Sequence, residues 1–108
     1  MITNMKNIIR SELTNHIKKY INVNDLDVRN ENTKVNLFFH KKRKDSIMKI
    51  TNLEITRISC IIEHIEKVLD FNGLSVKDID LIMDRDNKIE IDISHGTLLV
   101  LEFITIQD

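Results

Sequence analysis

Four consecutive cations, Lys41-Lys42-Arg43-Lys44, follow His40 and form the longest run of like charge in the chain. At the tip of a hairpin such a run grips phosphates by neutralising them and releasing counterions. It serves equally as a solvated loop that guards a strand edge. Phe38 and Phe39 are the only nearby aromatics, one of them belongs in the core, and no recognised nucleic-acid motif surrounds them. Nucleic-acid binding through Lys41, Lys42, Arg43 and Lys44 is therefore an alternative expectation rather than the leading one.

The acids mirror the cations. Asp84, Asp86, Glu90 and Asp92 follow Asp78 and Asp80 along one stretch of alternating sequence. Such a face meets a basic partner surface or mimics the phosphate spacing of nucleic acid. It also suits the plain solvent side of an amphipathic hairpin. These four acids are the expected partner-binding residues.

Other chemistry is harder to build. Asp84-Arg85-Asp86 opens like a calcium-binding EF-hand loop, but Lys88, Ile89 and His95 then stand where an oxygen ligand, the turn glycine and the bidentate glutamate belong. His16, His40, His64 and His95 do not pair at metal-ligand spacing. Cys60 and His64 share a helix face, so a thiolate–imidazole contact is within reach, with no third group to orient it. The chain has 2 glycines, Gly73 and Gly96, too few for a P-loop, a dinucleotide fingerprint or a nucleophile elbow. No catalytic residue, metal site or cofactor is expected, and the chain reads as a non-enzyme.

The frame holding these residues is small. The chain has 108 residues, 42% hydrophobic and 31% charged, which suits one α+β domain with a single core. The net charge of −1 favours neither nucleic acid nor an anionic membrane. It conceals an asymmetry: 11 Lys/Arg against 6 Asp/Glu through Glu54 give +5, and 5 against 11 thereafter give −6. A lone cysteine, no apolar leader after Met1 and no long apolar run lead to the expectation of a cytoplasmic protein. Ala, Pro and Trp are absent while Ile and Asn abound. That usage points to an AT-rich genome, such as those of small bacteria, their phages and some large DNA viruses.

Periodicity supplies the elements. Met5, Ile9, Leu13, Ile17 and Tyr20 predict an amphipathic helix over about Thr3 to Ile21. Strands are expected at Leu26 to Arg29, Lys34 to His40 and Ser46 to Thr51. Thr51-Asn52-Leu53-Glu54 reads as a capping box for a second helix with the stripe Ile55, Ile58, Ile62, Ile65 and Leu69, ended by Asn72-Gly73. Asp78 to Met83, with Ser75 to Asp78 as an alternative helical turn, then Lys88 to Ser94 and Thr97 to Ile106 read as strands. The last is apolar on both sides and belongs at the centre of a sheet or at an interface.

Val23–Val28 resembles Val76–Leu81, which suggests a weak αβββ–αβββ repeat with halves 1–51 and 52–108. Two helices would then cover one face of a largely antiparallel sheet. The other face would carry Phe38, Leu98, Val100 and Ile104, and apolar content of that kind is seldom left in water. A homodimer or a protein partner is expected there, unless the sheet curls to bury those residues itself. The leading functional expectation is a small protein-binding module that occludes a partner surface, as an inhibitor, immunity or anti-defence protein does. Nucleic-acid binding and a structural or chaperone-like homodimer are the alternatives.

Overall fold

A computed structural model describes residues 5–21, 26–30, 33–41, 46–53, 57–94 and 96–105, with the backbone alone for Lys41 and residues 46–53. Basic residues 42–44, and with them most of the candidate phosphate-binding run, lie outside the described residues. The fold is α+β. Helix α1 (Met5–Ile17) leads to strands β1 (Thr33–Lys41) and β2 (Ser46–Leu53). Helix α2 (Ile58–Phe71) and a 3-10 turn (Val76–Asp78) then lead to β3 (Ile79–Arg85), β4 (Lys88–Ile93) and β5 (Thr97–Thr105). The strands form one five-stranded sheet of order β2-β1-β5-β4-β3. Every neighbouring pair is antiparallel. The long apolar strand β5 is central, as its two-sided apolar character predicts.

Both helices lie on one face. From α1, Ile9, Leu13 and Ile17 enter the core at four-residue spacing, followed by Ile21 beyond the helix end; from α2 come Ile58, Ile61, Ile62, Ile65, Val68 and Leu69. They meet Val35, Leu37 and Phe39 of β1, Ile82 of β3, Ile89, Ile91 and Ile93 of β4, and Leu99, Leu101 and Phe103 of β5. Burying each such side chain stabilises the fold by roughly 1.5–3 kcal/mol before entropy is charged against it. Met5, expected on the α1 stripe, is instead 52% exposed.

Where the segment Leu26–Arg29 reads as a strand, the structure has a turn and a bend, with Asn30 alone in a bridge. The cause lies in α2. Its N-cap, Arg57, offers no side-chain hydrogen bond. The Leu26 carbonyl accepts the Ser59 backbone N–H at 3.2 Å, and Asp27 Oδ1 accepts the Ser59 hydroxyl at 3.2 Å. The segment is thus spent on capping a helix. The expected capping box is unused, because Thr51–Leu53 continue β2 opposite Leu37–Val35. Among the described residues the first half therefore runs αββ and the second αβββ. Leu26–Val28 and Ile79–Leu81, aligned in the suggested repeat, differ in conformation.

The end of α2 follows expectation. Gly73 takes φ +72°; its N–H reaches the Asp70 carbonyl at 3.0 Å and the Leu74 N–H reaches the Leu69 carbonyl at 2.7 Å. That is a Schellman closure. A capping box does occur, at Ser75 and Asp78, where it opens the 3-10 turn that was the alternative reading there. The expected turn at 84–87 narrows to Asp86 and Asn87 between the paired Arg85 and Lys88. Their φ values of 53° and 63° fit the type I′ turn that matches hairpin twist.

Candidate functional site

Strand alternation places a second set of side chains on the face of the sheet away from the helices. Phe38 stands opposite Val100, His40 opposite Leu98, Asn36 opposite Glu102 and Lys34 opposite Ile104. Beyond β5, Val100 faces Glu90, Leu98 faces Asp92 and Glu102 faces Lys88. At the edge, Leu81 faces Asp92 and Met83 faces Glu90. The register slips between Ile79 and Leu81, so Asp80 is the extra residue of a bulge. That slip turns Leu81 and Met83 to the open face, 49% and 46% exposed, and Ile82 and Asp84 to the helix side. Without it Asp80, Ile82 and Asp84 would stand on this face in place of Leu81 and Met83.

The expected dimer-face residues Phe38, Leu98 and Val100 are thus brought together, each half-buried. The expected acidic set is divided. Glu90 and Asp92 share the open face with the apolar residues, Asp86 occupies the β3–β4 turn, and Asp84 lies on the other side of the sheet. Neither Glu90 nor Asp92 makes an ion pair among the described residues.

Asn36 and Glu102 were not singled out from sequence, although the same alternation that assigns Phe38 and Val100 to this face assigns them to it. Asn36 is 7% exposed. Its Nδ2 donates to Glu102 Oε1 at 3.3 Å, and its Oδ1 has no hydrogen-bond partner among the described residues. Lys88 Nζ lies 3.8 Å from Glu102 Oε2.

On the helix side, Asp84 gathers the end of α1. Its carboxylate accepts from His16 Nδ1, from Lys19 Nζ at 2.9 Å and from the Tyr20 hydroxyl at 3.1 Å. Hydrogen bonds from Lys19 and His16, and more weakly from Tyr20, hold its pKa at about 2 against the opposing effect of desolvation. Desolvation, and then the Asp84 hydrogen bond and charge, raise the Tyr20 phenol above its ordinary value. The Tyr20 ring stacks on Phe103 of β5 at 5.0 Å between centroids. This is a structural clasp: three donors from the end of α1 and the turn after it converge on one carboxylate.

A second clasp joins the helices. Glu66 accepts from Arg10 Nε at 2.5 Å and lies 3.4 Å from Lys6 Nζ. Burial acts to raise its pKa, and the two cations outweigh it and hold the carboxyl low. His64 Nδ1 bonds the Cys60 backbone carbonyl at 3.1 Å, not the thiol. Among the described residues no three His, Cys, Asp or Glu side chains converge as a metal site would require. No described helix is long and apolar enough to cross a membrane.

Compared with protein-family models, curated proteins and solved structures, the chain matches none of them. The functional reading therefore rests on the open face itself.

Proposed function

We propose that this protein is a small non-enzymatic module that docks through the open face of its sheet onto a basic and apolar surface of another protein, and acts by occluding it. The observation that carries the reading is the composition of that face. Phe38, Leu98, Val100, Leu81 and Met83 lie beside the unpaired carboxylates Glu90 and Asp92, with no element of the described chain covering them. Five strands spaced about 4.8 Å apart and some seven residues long offer on the order of 500–600 Å². That area reaches the lower end of specific interfaces.

Charge selects the partner. The half-buried acids Glu90 and Asp92 repel phosphate and welcome lysine and arginine. A second copy laid on this face would bring further unpaired carboxylates into the contact, so a different chain suits it better than a homodimer. Occlusion of a basic groove is how an inhibitor, immunity or anti-defence protein works. Cys60, with no cysteine to pair with, suits a reducing compartment such as the cytoplasm.

The test is affinity capture from host lysate, with and without nuclease, using the parent chain and Val100→Asp. Val100 lies in the central strand opposite Glu90, so Val100→Asp lowers the unfolding midpoint, and circular dichroism at the capture temperature must show the variant folded for its loss of capture to count. A stoichiometric protein that survives nuclease and is lost with Val100→Asp supports the reading. Recovery of nucleic acid alone, unaffected by Val100→Asp, overturns it in favour of the basic run 41–44. Light scattering that shows the purified parent as a dimer, and Val100→Asp as a monomer, overturns it in favour of self-association.

A further inference from the structure

Strand β3 closes one edge of the sheet, and no described strand pairs with its outer side. The hairpin decides which of its amides face outward. Arg85 and Lys88 flank the type I′ turn as a hydrogen-bonded pair, and such pairs alternate along an antiparallel ladder. Met83 and Leu81 therefore turn their backbone N–H and C=O groups to β4, while Ile82 and Asp84 turn theirs outward. Among the described residues those outward groups have no backbone partner. Ile82 keeps 8% of its surface accessible, where its β4 neighbour Ile91 keeps none. Helix α1 meets Asp84 from the helix side of the sheet, so it does not stand in the plane that another strand would occupy.

Natural edges are guarded by lysine, by proline or by a bulge. Strand β3 has neither lysine nor proline, and its bulge at Asp80 leaves Leu81–Arg85 regular. Leu81 and Met83 add two large apolar side chains along this edge. The charges at its ends have opposite signs. Arg85, its side chain 81% exposed, lies 3.9 Å from Asp86, and the exposed Asp80 makes no ion pair among the described residues. A uniformly basic or uniformly acidic strand would suit one end and be repelled by the other. An antiparallel strand of the same sequence suits both, because its Arg85 end arrives at the Asp80 end.

We infer that β3 pairs with β3 of a second copy of this chain, about a two-fold axis at Met83. Centred there, Ile82 of each copy stands opposite the partner's Asp84, and their outward backbone groups exchange hydrogen bonds in both directions. Met83 faces the partner's Met83, and Leu81 lies beside the aliphatic stem of the partner's Arg85. Centring on Ile82 instead would set Asp80 opposite the partner's Asp84, a pair of like charges. The paired segment is about 17 Å long, so the interface falls below about 1,200 Å² and the dimer is weak, with Kd on the order of 1–100 μM. It joins two sheets into one and uses only the Leu81 and Met83 margin of the open face. Phe38, Leu98 and Val100 stay free for another protein, so the inference does not rest on the docking reading.

The experiment is sedimentation velocity on the full chain from about 1 to 500 μM, which brackets that affinity. The parent is expected to pass from monomer to dimer. Met83→Lys, at a half-exposed position opposite Glu90, keeps the fold and puts two ammonium groups at the axis in place of the apolar pair. It is expected to weaken association about tenfold. Folded Val100→Asp is expected to dimerise as the parent does.

Cysteine cross-linking in a Cys60→Ser background reads the register. Directly opposed residues of a pair without hydrogen bonds between them lie at disulfide distance. Met83→Cys is therefore expected to oxidise to a covalent dimer by itself. Leu81→Cys and Arg85→Cys are expected to cross-link with each other and not with themselves. A parent that stays monomeric at about 500 μM overturns the inference, because even a small interface of this kind associates there. A dimer in which Met83→Cys does not cross-link overturns it too. A dimer lost in folded Val100→Asp and kept in Met83→Lys overturns it in favour of pairing through the open face, and the docking reading falls at the same time. Loss of lysate capture alone bears on the docking reading and leaves the edge pairing standing.

Discussion

At the scale of single residues the molecule separates acids that hold the fold from acids that face outward. Asp84 belongs to the first kind. Its unfolded-state pKa lies near 3.8 and its folded value near 2. Between those values the unfolded chain binds more protons than the folded one, so stability rises with pH through this window. The contribution is complete above about pH 4–5 and is lost as pH falls through about 2. Asp84→Asn is therefore expected to lower the urea midpoint at pH 6, with the gap to the parent narrowing towards pH 2. A gap that stays constant over that range would show that the carboxylate is not what holds α1 to β3. Alternation alone cannot tell Asp84 from Asp92, since both are polar positions in strand-like sequence. The distinction comes from the bulge at Asp80 and from His16, Lys19 and Tyr20, more than 60 residues away in sequence. Asn36 and Glu102 are the reverse case. Their face was readable from Val35, Leu37 and Phe39, but an unpaired acceptor is a property of the packed state and has no signature in sequence.

At the scale of elements, periodicity carried the helices and the central strands, and local capping signals carried less. The stripe of α2 was plain, and its C-terminal stop at Asn72-Gly73 was local chemistry that the structure keeps. Its start was not readable, because Ser59 is capped by a segment 32 residues upstream. The same exchange removed the strand expected at Leu26–Arg29. The stop gives a prediction with a definite order. Gly73 holds φ +72°, and nothing lies within 4 Å of where a Cβ would stand. The cost of a side chain there is thus conformational rather than steric. Gly73→Ala is expected to destabilise the protein by about 1–2 kcal/mol, and Gly73→Asn by less, because asparagine tolerates the left-handed region. Equal midpoints for Gly73→Ala and the parent in urea unfolding would mean that the Schellman closure contributes nothing.

At the scale of the whole molecule, topology turns a difference between two halves of the sequence into a difference between two flanks of the sheet. Strands β2 and β1 come from the half that carries +5, and β5, β4 and β3 from the half that carries −6. Helix α1 crosses over and spends His16 and Lys19 on Asp84, so the acids left facing outward on the open side are those of β4 and Glu102. A net charge of −1 therefore understates the field that a basic partner meets on approach. Charge of this kind acts on encounter more than on residence, because rim charges steer diffusion while packed apolar contacts set the rate of escape. With the captured partner in hand, the association rate is expected to fall about tenfold between 0.05 M and 0.5 M salt, as the Debye length shrinks below the reach of Glu90 and Asp92, while the dissociation rate changes little. Glu90→Gln with Asp92→Asn is expected to flatten that dependence and leave dissociation nearly as it was. Val100→Asp is expected to do the opposite, speeding dissociation at every salt concentration. Stopped-flow or surface-binding kinetics on the three chains separate these effects. If the salt dependence fell on dissociation instead, the two acids would be buried contacts of the complex rather than guides to it, and the apolar centre would lie elsewhere on the face.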